Sequence, residues 1–347
     1  MNIISHSRPF IGKEEALKAS AVVSSGKIAA GKEVETFETA MSVLTKTRYA
    51  SAVSSGSAAL YLALLALKIK ENDEVIIPSY VCTAVLNAVL LAKAKPVLAD
   101  SSAYDFNISA EDIKRKLTRR TKAIIVPHLF GFPADIKRIC SYGIPVIEDC
   151  AQTVSAGCYG KKTGQWGELS IYSFYATKPF AAGEGGMVLS NNKAYVDFVR
   201  DYIDYDEKKD LKPRFNFKMT DIQASIGRVQ LDRFPDFIKQ RIRIAKQYSQ
   251  ALKDKQAVLP SSTIDKEHLF FRYVIGNVTN LDKKINAFQK NSIMARKPIF
   301  IPLHHYLKKA GFPVCEKAWR SCLSLPIYPN MTETDIARVI KTAQEIL

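Results

Sequence analysis

The six cysteines of this 347-residue chain, Cys82, Cys140, Cys150, Cys158, Cys315 and Cys322, contain no C-x-x-C pair. That scatter argues against zinc or any other metal site and against a disulfide framework, and most of the six are expected to be small buried apolar side chains. Long hydrophobic runs are also missing. The greasiest stretch, "TAVLNAVLLA", is too short to cross a bilayer. The opening segment "MNIISHSRPFIGKEEALKAS" has no cationic start followed by a long apolar run, so a cytoplasmic protein is expected. Acid is scarce too, with 34 Asp and Glu against 50 Lys and Arg and a formal charge of +16. Such an excess attracts nucleic acid, an anionic membrane surface or phosphorylated small molecules. The basic groups "KRKLTRRTK", "EKKDLKPR", "KQRIRIAK" and "LDKK" usually have acids nearby and come with no recognition-helix or RNA-binding signature. Solvated faces and an anionic small substrate are expected, with neither nucleic acid nor membrane as a partner.

What is present is an ordinary globular composition, 47% hydrophobic and 24% charged, far from that of disordered chains. The length exceeds what one core usually holds, which predicts a large domain with a smaller one attached. Residues 13–45 read as two helices. "SGSAALYLALLALKI" follows the short run "YASAVS" and is apolar nearly all round, so that helix must be buried. "DEVIIPS", "KPVLAD", "KAIIVPHL" and "IPVIEDC" are β-branched runs alternating with helical stretches, which predicts a mostly parallel sheet with helices on both faces. "LSIYSFYATK" and "GGMVLSN" add two strands.

The polar segment 201–215 reads as a loop or arm. "MTDIQASIGRVQL" opens a helix with Thr220 as N-cap and Gln223 closing a capping box. A long basic helix around 232–254 and a small α+β region follow. The predicted domains are 1–235, a large α/β domain, and 236–347, a small C-terminal one, with the N-terminal 20 residues able to pack on the latter.

Three pieces of chemistry follow one another. In "SSGSAAL", residues 54–60, small residues sit between a strand end and a helix start, where free N–H groups, the helix dipole and the Ser57 hydroxyl make a phosphate cup. Taken alone, the same residues also let a helix pack closely on a sheet. In "VIEDCAQ", Asp149 ends a strand at the edge where open α/β sheets bind ligands, although an acid there is often only a helix cap. In "SFYATKPFAAGEGG", Lys178 lies among Phe174, Tyr175, Pro179 and Phe180, neighbours expected to desolvate the amine and free its lone pair for an aldehyde. A lone lysine at a strand end is more often solvated. Together, a phosphate cup, a buried acid and an imine-forming lysine are the three contacts that pyridoxal 5′-phosphate requires.

The chain resembles the DegT/StrS-type aminotransferases, the nucleotide-sugar branch of fold-type I pyridoxal-phosphate (PLP) enzymes. The resemblance runs nearly end to end through "SRPFIGKEE", "SSGSAALYLALLAL", "DEVIIPSYVCTAVLNAVL", "PHLFGFPADI", "VIEDCAQTVSA", "SFYATKPFAAGEGGMV", "FNFKMTDIQASIGRVQL" and "LSLPIYPNMTETD". It implies a large domain with a mostly parallel sheet between helices, a small C-terminal α+β domain, and homodimers with shared active sites. It implies that Lys178 binds the cofactor aldehyde and that Asp149 pairs with the ring nitrogen. Gln152 would sit near the ring's phenolic oxygen, Gly56, Ser57 and Ser173 would hold the phosphate, and Asn216 would reach the neighbouring subunit's cofactor. Cys82 stands where many relatives stack an aromatic on the ring, and His304 falls near the substrate.

The implied activity moves an amino group from an amino acid, L-glutamate, through pyridoxamine 5′-phosphate to a keto-sugar nucleotide, in amino-sugar or surface-polysaccharide biosynthesis. Relatives often carry hydroxyls where this chain has Ala29, Ala30, Ala181 and Ala182, which keeps a cyclitol or another ketone open. PLP-dependent dehydration is disfavoured, because relatives with that activity replace the lysine by histidine. A non-catalytic binding or regulatory protein with the same fold remains the reading from another class. Borohydride reduction of cofactor-loaded protein followed by peptide mapping should place a pyridoxyl adduct on Lys178, and an adduct on any other side chain would refute that assignment.

Overall fold

The computed structural model describes residues 2–347. Two helices open the chain, α1 (Lys13–Ser25) and α2 (Lys32–Thr45). Strand β1 (Tyr49–Val53) then leads into α3 (Gly56–Ala66). Alternating units follow: β2 (Glu74–Pro78), α4 (Thr83–Leu91), β3 (Lys95–Ala99), α5 (Ala110–Lys116), β4 (Thr121–Pro127), α6 (Ile136–Cys140) and β5 (Val146–Asp149). A two-residue ribbon, β6 (Gly157–Cys158) and β7 (Lys161–Lys162), precedes β8 (Leu169–Ser173), β9 (Gly186–Ser190) and α7 (Lys193–Tyr202).

The seven-stranded sheet has the order β1-β9-β8-β5-β4-β2-β3. Only β9 runs antiparallel to its neighbours; Ser173 faces Gly186 in one register and Val53 faces Gly186 in the other. The parallel majority follows from the βαβ alternation, because a strand that re-enters beside its predecessor needs a helical crossover. Helix α3, apolar on every side, is buried along Leu60, Leu62 and Leu64 against one face of the sheet. On the other face, Phe37 and Met41 of α2 close a second core with Ala50, Ala52, Tyr172 and Met187.

The rest is built on α8 (Asp221–Leu252), a 32-residue helix. Its start is as the sequence predicts: Thr220 Oγ1 accepts from Gln223 N at 3.3 Å, and Gln223 Oε1 accepts from Thr220 N at 3.0 Å. Where the sequence predicts two helices, the structure has one, which continues through Pro235. Pro235 gives Leu231 no N–H to bond, and burial of Leu231, Phe234 and Phe237 in the α2-side core offsets that loss. Further along, Ile244, Tyr248 and Leu252 of the same helix enter a third core. It is made with β10 (Tyr273–Ile275), α9 (Leu281–Lys290), β11 (Leu323–Leu325), α12 (Glu333–Ile346) and, from the N-terminus, Ile4.

Two short helices, α10 (Leu303–Tyr306) and α11 (Pro313–Ser321), lie between α9 and β11. Before α10, an isolated bridge joins Arg296 to Ser324 of β11. No helix among the described residues is long and apolar enough to cross a membrane. Replacing Thr220 by alanine removes the cap and should cost about 1 kcal/mol, read as a lower denaturant midpoint with an unchanged m-value.

Candidate functional site

Parallel strands deliver their C-terminal ends to one edge of the sheet. β1 ends at Val53, β4 at Pro127, β5 at Asp149 and β8 at Ser173. At the first of these, Ser55 caps α3 through its Oγ, which accepts from Ala58 N at 3.1 Å. The amides of Gly56 and Ser57 have no partner among the described residues, and the Ser57 side chain is exposed. Ser173 stands directly against this helix start. A Cβ on Gly56 would lie 2.7 Å from Ser173 Cβ, so nothing larger than glycine fits there. Two free N–H groups, the positive end of a helix and adjacent hydroxyls form an oxyanion cradle of phosphate type.

Asp149 is half-buried, and its Oδ1 accepts from Ala151 N at 3.0 Å. Burial raises its pKa above the ordinary value, while the Lys178 charge and the Ala151 N–H pull in the opposite direction. Lys178 lies five residues beyond the end of β8, in a turn fixed by Lys178 N donating to Tyr175 O at 2.8 Å and Ala176 N to Gly183 O at 3.0 Å. Its Nζ has no hydrogen bond or ion pair among the described residues. Burial lowers the lysine pKa, and Asp149 and Cys82 raise it, which places both groups close to the amine. Cys82 is exposed at the start of α4.

The neighbours that desolvate Lys178 differ from those the sequence predicts. Phe174 and Phe180 turn away into the α2-side core, with their rings 5.3 Å apart, and Tyr175 is exposed. The aromatic ring beside the amine is instead Phe271, with its centroid 5.8 Å from Nζ. Segment 269–272 reaches the site by docking on the turn after β4. Leu269 N donates to Gly131 O at 2.8 Å and Arg272 N to Phe130 O at 3.1 Å. Gly131 has φ +97°, and a Cβ on it would meet Phe271 N at 2.7 Å. Phe130 N in turn donates to Gln152 Oε1 at 2.8 Å, which fixes that amide's orientation and leaves its NH₂ free to donate. A contact across more than 100 residues leaves no periodic trace, so Phe271, Arg272 and Phe130 were not legible in the sequence.

Beside Asp149 in the chain stands a second acid, fully buried. Glu148 accepts from Gly164 N (2.9 Å), Trp166 N (2.7 Å) and Gly167 N (2.8 Å) and pairs with His128 Nε2 at 2.9 Å. Burial alone would raise its pKa, and these donors more than reverse that. His128 Nδ1 accepts from Ala134 N, so Nε2 carries the proton given to Glu148. This buried pair holds β4 and β5 in the alignment that aims Asp149.

His304 is buried, not free in the cleft. Its Nδ1 meets Ser79 Oγ at 2.7 Å and its Nε2 meets Glu316 at 3.3 Å, so the ring ties α10 to the end of β2. Asn216 is exposed on the irregular segment that follows α7, and its Oδ1 accepts from Lys218 N at 3.3 Å. Ala181 and Ala182 are buried in the fold, Ala181 N donating to Gln230 Oε1 at 3.3 Å. Their lack of hydroxyls therefore does not bear on the substrate, contrary to the expectation from sequence. Ala29 and Ala30 line a separate cleft of about 820 Å³ with Glu38, Arg48, Arg200 and Lys218, and Lys178 is not among its walls.

The residues fit pyridoxal 5′-phosphate. The glycine-only cradle takes a phosphate, a half-buried amine stands without a partner among the described residues, and a carboxylate whose pKa burial raises is stabilised in its charged form when a ring cation is set against it. Comparison with known proteins agrees with this chemistry. Residues 9–344 match the DegT/DnrJ/EryC1/StrS aminotransferase family. An uncharacterized protein of Methanocaldococcus jannaschii is 33% identical, covering 98% of this chain and 96% of its own. The GDP-perosamine synthase of Escherichia coli O157:H7 is 31% identical, over 96% of this chain and 95% of its own. Among solved structures, the aminotransferase TlmJ from Streptoalloteichus hindustanus superposes with a TM-score of 0.94 at 26% identity, covering 99% of this chain and 98% of its own.

A half-buried cation without a partner destabilises the empty protein. Lys178→Met should therefore raise the melting temperature of the cofactor-free protein at pH 7. Because the folded lysine releases its proton before the unfolded one, the wild type gains stability as pH climbs from the lowered folded value towards 10.5. The advantage of the variant should shrink over that window, and an advantage independent of pH would show that the amine is solvated.

Proposed function

This chain belongs to the DegT/DnrJ/EryC1/StrS aminotransferase family, and from that premise we propose that it moves the amino group of L-glutamate onto the keto group of a nucleotide-linked sugar. It is a PLP-dependent aminotransferase. The observation that carries the reading is the half-buried Lys178 amine, unpartnered among the described residues and close to Asp149, one strand end away from the Gly56–Ser173 cradle.

Pyridoxal 5′-phosphate, when bound, supplies an aldehyde that accepts an amine and a ring that accepts electrons. The protein supplies the rest. The N–H groups of Gly56 and Ser57, with the Ser57 and Ser173 hydroxyls, would hold the phosphate. Asp149 would hold the proton on the ring nitrogen, Gln152, whose NH₂ is free, would donate to the phenolic oxygen, and exposed Cys82 would lie against the ring. Lys178 Nζ, its pKa lowered by burial, is the base that takes a proton from the donor's α-carbon and returns it. Phe271 sets an apolar ring beside the amine, with its centroid 5.8 Å from Nζ.

The relatives named GDP-perosamine synthase support a nucleotide-sugar acceptor, and the +16 charge suits its diphosphate. The buried positions of Ala181 and Ala182 take away one reason for choosing a simpler ketone. Exposed Asn216, on its arm, supports a homodimer in which that side chain reaches the other copy's cofactor. Six free thiols suit a cytoplasmic location. His304, buried against Ser79, would act on the substrate only by positioning the end of β2. Purified protein should be yellow and bleach when glutamate is added, with the colour restored by a keto-sugar nucleotide. Failure of every amino acid to bleach a yellow protein would refute the transaminase reading.

A further inference from the structure

Three cations surround one phenyl ring. The Phe271 centroid lies 4.8 Å from Arg272 Cζ, 5.8 Å from Lys178 Nζ and 5.9 Å from Arg241 Cζ. None of the three has a carboxylate within ion-pair distance among the described residues. Arg241 is held inside the fold: it is buried, its Nη1 donates to the carbonyls of Phe270, Phe271 and Ile327 at 3.1–3.4 Å, and its Nε, without a partner among the described residues, is closed off from the site by that burial. Lys178 and Asp149 are accounted for by the cofactor. Arg272 is accounted for by neither.

The Arg272 guanidinium is half-buried and stacks on Phe271. One of its donors is used: Nη1 gives a proton to His6 Nδ1 at 2.6 Å. His6 Nε2 meets Ser324 Oγ at 2.8 Å, so the imidazole is neutral and serves to orient the arginine without cancelling its charge. Nη2 and Nε have no partner among the described residues. The backbone of Arg272 is pinned to Phe130 O, next to the Phe130 N that holds Gln152, and its guanidinium is close enough to Lys178 to help lower the lysine pKa. Exposed Arg296 is close enough to lower the pKa of Arg272 further, behind the dominant effect of burial, which adds a second cation and still no acid.

A guanidinium half out of water beside other cations is unfavourable unless an anion joins it. We propose that Arg272, oriented by His6, is the oxyanion-binding residue of the substrate side of this site. The shared chemistry is a carboxylate of the amino-acid donor or a diphosphate oxygen of the sugar nucleotide, taken by the free Nη2 and Nε donors. This rests on the aminotransferase reading for what the anion belongs to. It does not rest on that reading for the existence of the site.

Succinate and pyrophosphate, neither of which can be transaminated, are titrated calorimetrically into full-length cofactor-loaded protein, wild type, Arg272→Gln and Arg272→Lys. One of the two anions should bind the wild type, and Arg272→Gln should weaken that anion by about tenfold or more while Arg272→Lys weakens it less, as expected for loss of charge-assisted bonds. Loss confined to succinate assigns the site to the donor's carboxylate, and loss confined to pyrophosphate assigns it to the nucleotide. Folded variants that bind both anions as the wild type does would overturn the proposal, as would a wild type that binds neither. If Arg272→Gln does not fold, Arg272→Lys decides on the same criterion. Wild-type protein that binds an anion through Arg272 but is not bleached by glutamate would sink the transaminase reading and leave the anion site. Bleaching with anion binding indifferent to Arg272 would do the reverse.

Discussion

Lys178 and Asp149 stand in one enclosed region, close enough to shift each other's protonation and too far apart to form an ion pair. Had they met, they would have neutralised each other and left a spent site. Held apart, each pays a desolvation cost that a ring with a nitrogen at one end and an aldehyde at the other can relieve. The separation is therefore what the surrounding framework must maintain. It does so with rigid parts: Asp149 ends a parallel strand buttressed by the His128–Glu148 pair, and Lys178 sits in a turn tied by main-chain bonds to Tyr175 and between Ala176 and Gly183.

The second constraint is the docking of segment 269–272 on the turn after β4. The contact is made by backbone, from Leu269 and Arg272 to Gly131 and Phe130, and tolerates no side chain at Gly131. Through it, a stretch of chain from the far side of α8 brings Phe271 and Arg272 to the lysine. The same turn fixes Gln152, so one loop orients that amide as well as Phe271 and Arg272. Tight backbone packing of this kind passes small shifts directly into the site.

Much of this was legible beforehand, and for identifiable reasons. The α3 helix declared its burial by being apolar on all sides, the four β-branched runs declared a parallel sheet, and Thr220 with Gln223 declared a helix start that the structure reproduces bond for bond. Each is a local signal, carried by residues within a few positions of each other. The misreadings share a cause too. Pro235 is a local signal for a break, overridden by burial of Leu231, Phe234 and Phe237. Phe174 and Phe180 flank Lys178 in sequence but turn away from it in space, because their rings pack on Phe37 of α2 and Phe234 of α8 in the core.

The sequence by itself determined the class of chemistry: one lysine, one acid and one glycine-containing helix start, in an order and setting that one cofactor requires. It also determined the alternation of strands and helices that brings those residues to one edge of a sheet. Only the tertiary structure decided what surrounds the amine, that Ala181 and Ala182 face the core, that His304 is engaged with Ser79, and that Arg272 is left with unused donors. The reason is physical. Periodicity and capping act over one or two turns of chain, whereas desolvation and charge depend on every atom within several ångströms, and most of those atoms come from residues far away in sequence.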